Sequence, residues 1–233
     1  MPTNPIVKIE MTGSDARGRP PGTKPLRIDV WSDIFCPWCY VGQHRLSQAV
    51  AACPHPEAIS VVPRSFELDP SSPVEPVPTL VMLAQKFALP PGQAEQIEGQ
   101  MVALAHGEGL EYTPDRLNAN TFDVHRLVQL AASYSLGNQL LDLLQRELFS
   151  GRANIFDHSF LAGAAARLGV PRPRAEEVLG GDEYADAVRR DERDARSLGI
   201  TGVPFTLIDG RLAMAGAGSV EGYKHAIEQA RRD

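Results

Sequence analysis

Two cysteines three residues apart, in Ile34-Phe35-Cys36-Pro37-Trp38-Cys39, are the groups in this chain best suited to chemistry. The stretch before them, Leu26–Asp33, alternates as a strand does. Leu26, Ile28, Val30 and Ser32 share one face, and Asp29, Trp31 and Asp33 the other. After them Tyr40/Val41, Leu46 and Ala49/Val50 recur at helical spacing, with Pro37 in the first turn, where its missing N–H costs nothing. A Cys-x-x-Cys at such a junction, inside a strand–helix–strand unit, points to a redox pair. Cys36 is expected at the exposed helix tip, where unpaired backbone N–H groups and the helix dipole favour a thiolate. Cys39, one turn deeper, is expected to be more buried and to resolve a mixed disulfide. Two other readings stand beside this one: half of a zinc site, and two ordinary core thiols. A structural zinc site takes four ligands. His44, Cys53 and His55 fall at no finger spacing, so no metal is expected.

The 233 residues make one large domain or one domain carrying an insertion. Apolar residues at 43% exclude wholesale disorder. With 23 Lys+Arg against 29 Asp+Glu the net charge is −6, so neither nucleic acid nor a membrane is an expected partner. No apolar run approaches the roughly 20 residues of a membrane span. The opening MPTNPIVKIEMTGSDARG lacks a basic start followed by an apolar core, so no secretory signal is read. Three cysteines are too few for a disulfide scaffold. A cytoplasmic setting is expected, where thiols stay mostly reduced and a cysteine pair cycles rather than crosslinks.

The elements that must position the pair follow from the rest of the pattern. Residues 1–25 read as a flexible leader, with a short strand at Val7–Met11. Ile59–Phe66 reads as a second strand, and Pro63 within it marks an edge or a bulge. Glu67–Pro78 is a proline-rich linker. From Thr79 to Leu198 the spacing is helical throughout, as in Leu127/Leu130/Ala131/Tyr134, and predicts six or seven helices with no strand. Val203–Ile208 and Arg211–Ala215 flank Asp209-Gly210, a tight-hairpin turn. Ser219 caps a last helix with Tyr223, Ala226, Ile227 and Ala230 on one side. The order is βαβ, a helical block, then ββα.

Several segments together resemble one family. They are Trp31-Ser32-Asp33 through Val41-Gly42, Arg64-Ser65-Phe66-Glu67-Leu68, Asn120-Thr121-Phe122-Asp123-Val124-His125-Arg126, Asp182-Glu183-Tyr184-Ala185, Gly199–Phe205 and Gly216-Ala217. In this order, over residues 26 to 231, they resemble the FrnE-like branch of the DsbA family. The resemblance implies an α/β thioredoxin fold (βαβ–ββα) with a large all-helical domain inserted between its halves. Residues 26–78 and 198–233 would form the thioredoxin-like part and 79–197 the insertion. It also implies a cytoplasmic thiol–disulfide oxidoreductase or isomerase, acting on protein disulfides or small thiols. No bound cofactor is implied beyond the redox-active Cys36–Cys39 couple, with glutathione as a candidate co-substrate. Relatives include kappa-class glutathione transferases and 2-hydroxychromene-2-carboxylate isomerases, which typically carry serine at the position of Cys36. A glutathione-dependent isomerase or transferase acting on a small aromatic compound is therefore the alternative, and a binding module with an idle cysteine pair is a third reading.

By the same resemblance, a cis Val203–Pro204 bond would open the third strand beside Cys36 and offer the backbone of Val203 to an extended substrate. Many thioredoxins carry a buried acid six residues before the first cysteine, where this chain has Val30. Asp33 is then the nearest acid, either a proton-handling group or an exposed residue at a strand end. Asn120 or Thr121 caps a helix, and that turn would overhang the cysteines with His125 one turn on. His125 either shapes the pocket and the Cys36 thiolate or fills a structural role. Arg64 either binds a carboxylate, such as that of glutathione, or forms a surface salt bridge. Phe35, Trp38 and Phe205 would make an apolar collar, although core packing suffices for Phe35 and Phe205. Cys53 reads as an ordinary buried thiol. The run Asp191–Arg196 reads as a solvated helix face.

Overall fold

The computed structural model describes residues 6–8 and 25–232. In chain order the elements are β1 (Ile6–Lys8), β2 (Leu26–Ser32), α1 (Pro37–Ala51), a short 3-10 turn at Pro56–Ala58, β3 (Ile59–Ser65) and β4 (Val77–Pro78). Then come α2 (Thr79–Lys86), α3 (Gln93–Gly107), β5 (Leu117–Asn118), α4 (Phe122–Ser133), α5 (Gly137–Phe149), α6 (His158–Leu168), α7 (Arg172–Gly180) and α8 (Ala185–Ser197). The chain closes with β6 (Phe205–Ile208), β7 (Leu212–Ala215) and α9 (Val220–Arg232). Most of the expected leader lies outside the described residues. Its expected strand is described only as Ile6–Lys8, antiparallel to β7.

One five-stranded sheet, ordered β1-β7-β6-β2-β3, carries the fold. β3 is parallel to β2 and sits at the edge, where Pro63, which has no N–H to give, pairs with Val30 without orphaning an inner ladder. β6 runs antiparallel to β2, with Trp31 opposite Phe205. Asp209 and Gly210, both at positive φ (51° and 68°), form the hairpin turn that a right-twisted ladder favours.

The alternation in β2 separates two packed faces. Ile28 and Val30 join Leu46 and Ala49 of α1 and Tyr223, Ala226 and Ile227 of α9 in one apolar cluster. Full burial of a side chain such as Ile28 contributes about 1.5–3 kcal/mol. On the other face Trp31, Leu207 and Ala213 pack against Ala195 of α8 and Ile200. A third and larger core lies among α3 to α7 and reaches Ile34, Tyr40 and Val41 beside the cysteines. One expectation fails here. Between the two sheet halves the chain is not purely helical, because Val77–Pro78 pairs with Leu117–Asn118 in a two-residue ladder.

Candidate active site

The N-terminus of α1 is built around Cys36, which occupies the N-cap with φ −73° and ψ 117°. No side chain caps this end, and Pro37 starts the helix. The Cys36 carbonyl accepts from the amides of Cys39 (3.0 Å) and Tyr40 (3.2 Å), while its own N–H donates to the Asp33 carbonyl (3.2 Å). The Cys36 pKa is lowered, first by the hydrogen bond from the Cys39 thiol and then by the amides of Cys39 and Trp38, against the cost of burial and the charge of Asp33. Burial and the neighbouring Cys36 push the Cys39 thiol well up.

Cys36 is more covered than expected: 5% of its surface is exposed, against 1% for Cys39. The cover is the Val203–Pro204 segment, whose peptide bond is cis. The Val203 carbonyl lies 3.7 Å from Cys36 Sγ, within reach of a weak thiol hydrogen bond. Gly42 permits this approach, since a Cβ there would stand 3.1 Å from Pro204 Cγ and 3.4 Å from Ala217 Cβ. Gly216 N–H secures the Pro204 carbonyl at 2.8 Å. Trp38 is 48% exposed beside the pair. Phe205 is half-buried and meets Trp31 edge-on at 6.2 Å. Phe35 is half-buried against the helical core with the Arg116 guanidinium 5.5 Å from its ring centre. Of the expected apolar collar Trp38 is exposed, while Phe35 and Phe205 are half-buried and also serve the packing.

Asp33 is not an exposed strand-end acid. It is 3% exposed, because the 67–78 segment and α4 close over it. Its Oδ2 accepts from Leu68 N–H at 2.8 Å and its Oδ1 from Phe35 N–H at 3.5 Å. His125 is equally buried and presents Nε2 to Asp33 Oδ1 at 3.4 Å. That nitrogen makes no hydrogen bond. Thr121, at the start of α4, is buried and makes no side-chain cap bond; its carbonyl accepts the His125 amide. Asn120 does the capping: its Oδ1 accepts from Phe122 N–H at 3.0 Å. Its backbone amide and its side chain also donate to the carbonyls of Pro73 and Pro70, strapping the 67–78 segment to α4.

Arg64 is no free carboxylate receptor. Its Nε donates to Asp29 and its Nη1 to Asp191, both at 2.7 Å. Asp191 also accepts from Ser65 N–H and Gln129 Nε2, and Trp31 Nε1 donates to the Asp191 carbonyl at 3.0 Å. The Asp191–Arg196 run is thus not simply solvated, because Asp191 and Glu192 are buried against the sheet and the linker. The sequence held the signal. Val188, Asp191, Glu192 and Ala195 stand at i, i+3, i+4 and i+7, a buried face written partly in charges. Glu67 and Arg189 also belong to the surroundings of the site and were not singled out. Arg189 Nη1 bridges Glu67 (2.6 Å) and Glu192 (2.8 Å), and burial raises the Glu67 pKa against the pull of Arg189 and His125. Cys53 is half-buried, with its thiol donating to the Ala49 carbonyl at 3.3 Å. A cleft of about 240 Å³ opens at the start of α4, lined by Val74, Asn120, Phe122, Phe156 and His158, and not at the cysteines.

Residues 27–228 match the DSBA-like thioredoxin domain family, and the chain belongs to it. It is thereby a member of the DsbA-like thiol–disulfide oxidoreductases. The chain is 40% identical to a probable DsbA oxidoreductase from Streptomyces coelicolor, with a TM-score of 0.83 over 89% of this chain and 91% of that one. Two more distant structures share the fold. The cytosolic disulfide reductase DsbM from Pseudomonas aeruginosa, solved with GSH, is 18% identical (TM-score 0.64; 89% of this chain, 100% of that one). A 2-hydroxychromene-2-carboxylate isomerase is 13% identical (TM-score 0.65; 88% and 96%). No curated protein sequence matches.

Proposed function

We propose that the protein exchanges disulfides through a Cys36/Cys39 dithiol cycle, with Cys36 as attacking and Cys39 as resolving thiol. One observation carries the reading: Cys36 sits at the helix tip with its thiol pKa lowered, 3.7 Å from an exchangeable backbone carbonyl, while the Cys39 pKa is raised. The asymmetry sets the order of events. The Cys36 thiolate attacks a substrate sulfur and the substrate's other sulfur leaves. The Cys39 thiol, held back by its burial, then attacks the Cys36 sulfur and releases the second substrate thiol. Ionisation of Cys36 removes the proton it shares with the Val203 carbonyl. That frees the carbonyl for an amide of an extended substrate chain, laid along Val203 and Pro204 with Trp38 and Phe205 beside it.

Substrates on this reading are protein disulfides or small thiols. The FrnE-like branch and a cytoplasmic setting fit it, since the sequence segments that carry the resemblance run the length of the chain and a structural neighbour is described as cytosolic. Among the described residues no helix is long and apolar enough to cross a membrane. The helical segment between the sheet halves contributes His125 and the Asn120 strap to the surroundings of the pair and so acts as its cover. The glutathione-dependent alternative loses the carboxylate anchor it would draw from Arg64, whose two contacting nitrogens already hold aspartates. Cys36→Ser is expected to abolish insulin reduction by a thiol donor. Cys39→Ala is expected to stall the enzyme as a mixed disulfide visible by mass spectrometry. Undiminished turnover by the Cys36→Ser protein removes the proposal, and full turnover by Cys39→Ala transfers the chemistry to a glutathione-dependent route.

A further inference from the structure

We infer that Arg116 is a positioning residue of the reactive turn. Through a buried clamp on Phe35 and Tyr40 it sets how readily Cys36 and Cys39 close into a disulfide. The inference rests on the dithiol reading and adds what holds the pair in register. Arg116 and Glu98 form an ion pair whose side chains are 1% and 3% exposed. Arg116 Nη1 and Nη2 donate to the two Glu98 oxygens at 2.5 and 3.2 Å. The Tyr112 hydroxyl donates to the same glutamate at 2.9 Å. Held this way, the guanidinium lies 4.7 Å from the ring centre of Tyr112, 5.0 Å from that of Phe149 and 5.5 Å from that of Phe35. Tyr112 and Phe149 stack at 5.2 Å, and Phe149 stacks in turn on Tyr40 at 4.7 Å with the planes 9° apart.

The two outer rings belong to the neighbours of the cysteines. Phe35 immediately precedes Cys36, and Tyr40 immediately follows Cys39. The clamp therefore touches neither sulfur, yet it grips the Cys36–Cys39 tetrapeptide at both flanks. Its other parts come from the segment between the sheet halves: Glu98 on α3, Tyr112 and Arg116 ahead of β5, and Phe149 at the end of α5.

Stability does not explain the ion pair. Replacing a buried pair with apolar residues is often neutral or stabilising, and Arg116 Nε has no hydrogen-bond partner. What a bidentate fork supplies is a fixed plane, and here three rings are set against it. Closing a disulfide removes freedom from the residues between and beside the sulfurs. Flanks that are already held have less freedom to lose, so the clamp favours the Cys36–Cys39 disulfide over the dithiol.

Titration against glutathione buffers, in a Cys53→Ala background, reads this preference. One GSSG takes two electrons and two protons from the dithiol. Cys36 forms a mixed disulfide as the first GSH leaves, and Cys39 closes the ring as the second leaves. Arg116→Met combined with Glu98→Gln removes both charges and keeps an acceptor for Tyr112, so the fold is expected to stand. Its disulfide is expected to form about tenfold less readily, the freedom of roughly one residue. That moves the couple by about 30 mV to the oxidising side. Phe35→Leu leaves the ion pair in place and is expected to shift the equilibrium the same way; it decides the matter should the double variant not fold. An equilibrium constant within about twofold of the unaltered protein, or one favouring the disulfide more, overturns the inference in either folded variant and leaves the dithiol reading intact. An unaltered pair that forms no disulfide at any glutathione ratio sinks the dithiol reading instead. Arg116→Lys keeps the charge without the fork and is expected to shift the equilibrium nearly as far as the double variant. Full rescue by lysine would assign the effect to charge and overturn positioning by the guanidinium.

Discussion

The sheet carries buried charge at two places, and they are built to opposite standards. On the α8 face, Arg64, Asp29, Asp191, Gln129, Ser65 and Trp31 are joined by short hydrogen bonds, and both Asp191 oxygens accept. At the tip of α1, Asp33 accepts from two amides, His125 Nε2 faces it at 3.4 Å without a hydrogen bond, and two free thiols with opposed pKa shifts lie alongside. The first network fixes strands to a helix and leaves nothing to react. The second tolerates unmet polar groups, and its neighbours supply the constraint. Satisfied buried networks hold a fold, while underpartnered ones are where function is found.

The sharpest way to break this contrast is Asp191→Ala. It leaves Arg64 held by Asp29 alone and takes the acceptor from the Ser65 amide, and a buried donor left unsatisfied costs about 1–3 kcal/mol. Urea unfolding is expected to register that loss while iodoacetamide still labels Cys36 at its usual rate. A stability change under about 1 kcal/mol would show the network to be ornamental.

Gly42→Ala tests the close contact at the other site. The new Cβ would press on Pro204 and Ala217, and overpacking of this kind costs about 1–3 kcal/mol. Slower reduction of insulin is expected to accompany it, since the Val203–Pro204 segment is what shifts; stability loss with unaltered turnover would uncouple that segment from catalysis. Trp38→Ala is the mildest change. A 48% exposed side chain is expected to alter stability by no more than about 0.5 kcal/mol while raising KM for an apolar disulfide peptide. An unchanged KM would take Trp38 out of the binding surface.

The same contrast marks how far the sequence could be read. β2, α1, the Asp209-Gly210 hairpin and the apolar face of α9 were legible because each is a local pattern, and Tyr223, Ala226, Ile227 and Ala230 are indeed buried. The strand–helix junction that holds Cys36 and Cys39 was legible for the same reason. The charged face of α8 was not, because buried aspartate carries no hydropathy signal and its partners Arg64, Ser65 and Gln129 lie 62 to 127 residues away. Nor was the burial of Asp33, which depends on a proline-rich segment and a helix remote in sequence. The two-residue β4–β5 ladder is too short to show any period. Arg64 was ambiguous from sequence alone; two aspartates settle its engagement.

The account turns on Cys36 ionising more readily than Cys39, and alkylation followed by mass spectrometry at each pH reads this directly. A depressed thiol pKa means that Cys36 is already reactive below the usual thiol range and stays so as pH rises, whereas Cys39 reacts only far above it. The expected result is a Cys36 labelling midpoint below the ordinary thiol value, with Cys39 unlabelled across neutral pH. Equal labelling of the two cysteines, or a Cys36 midpoint at or above that value, would contradict it.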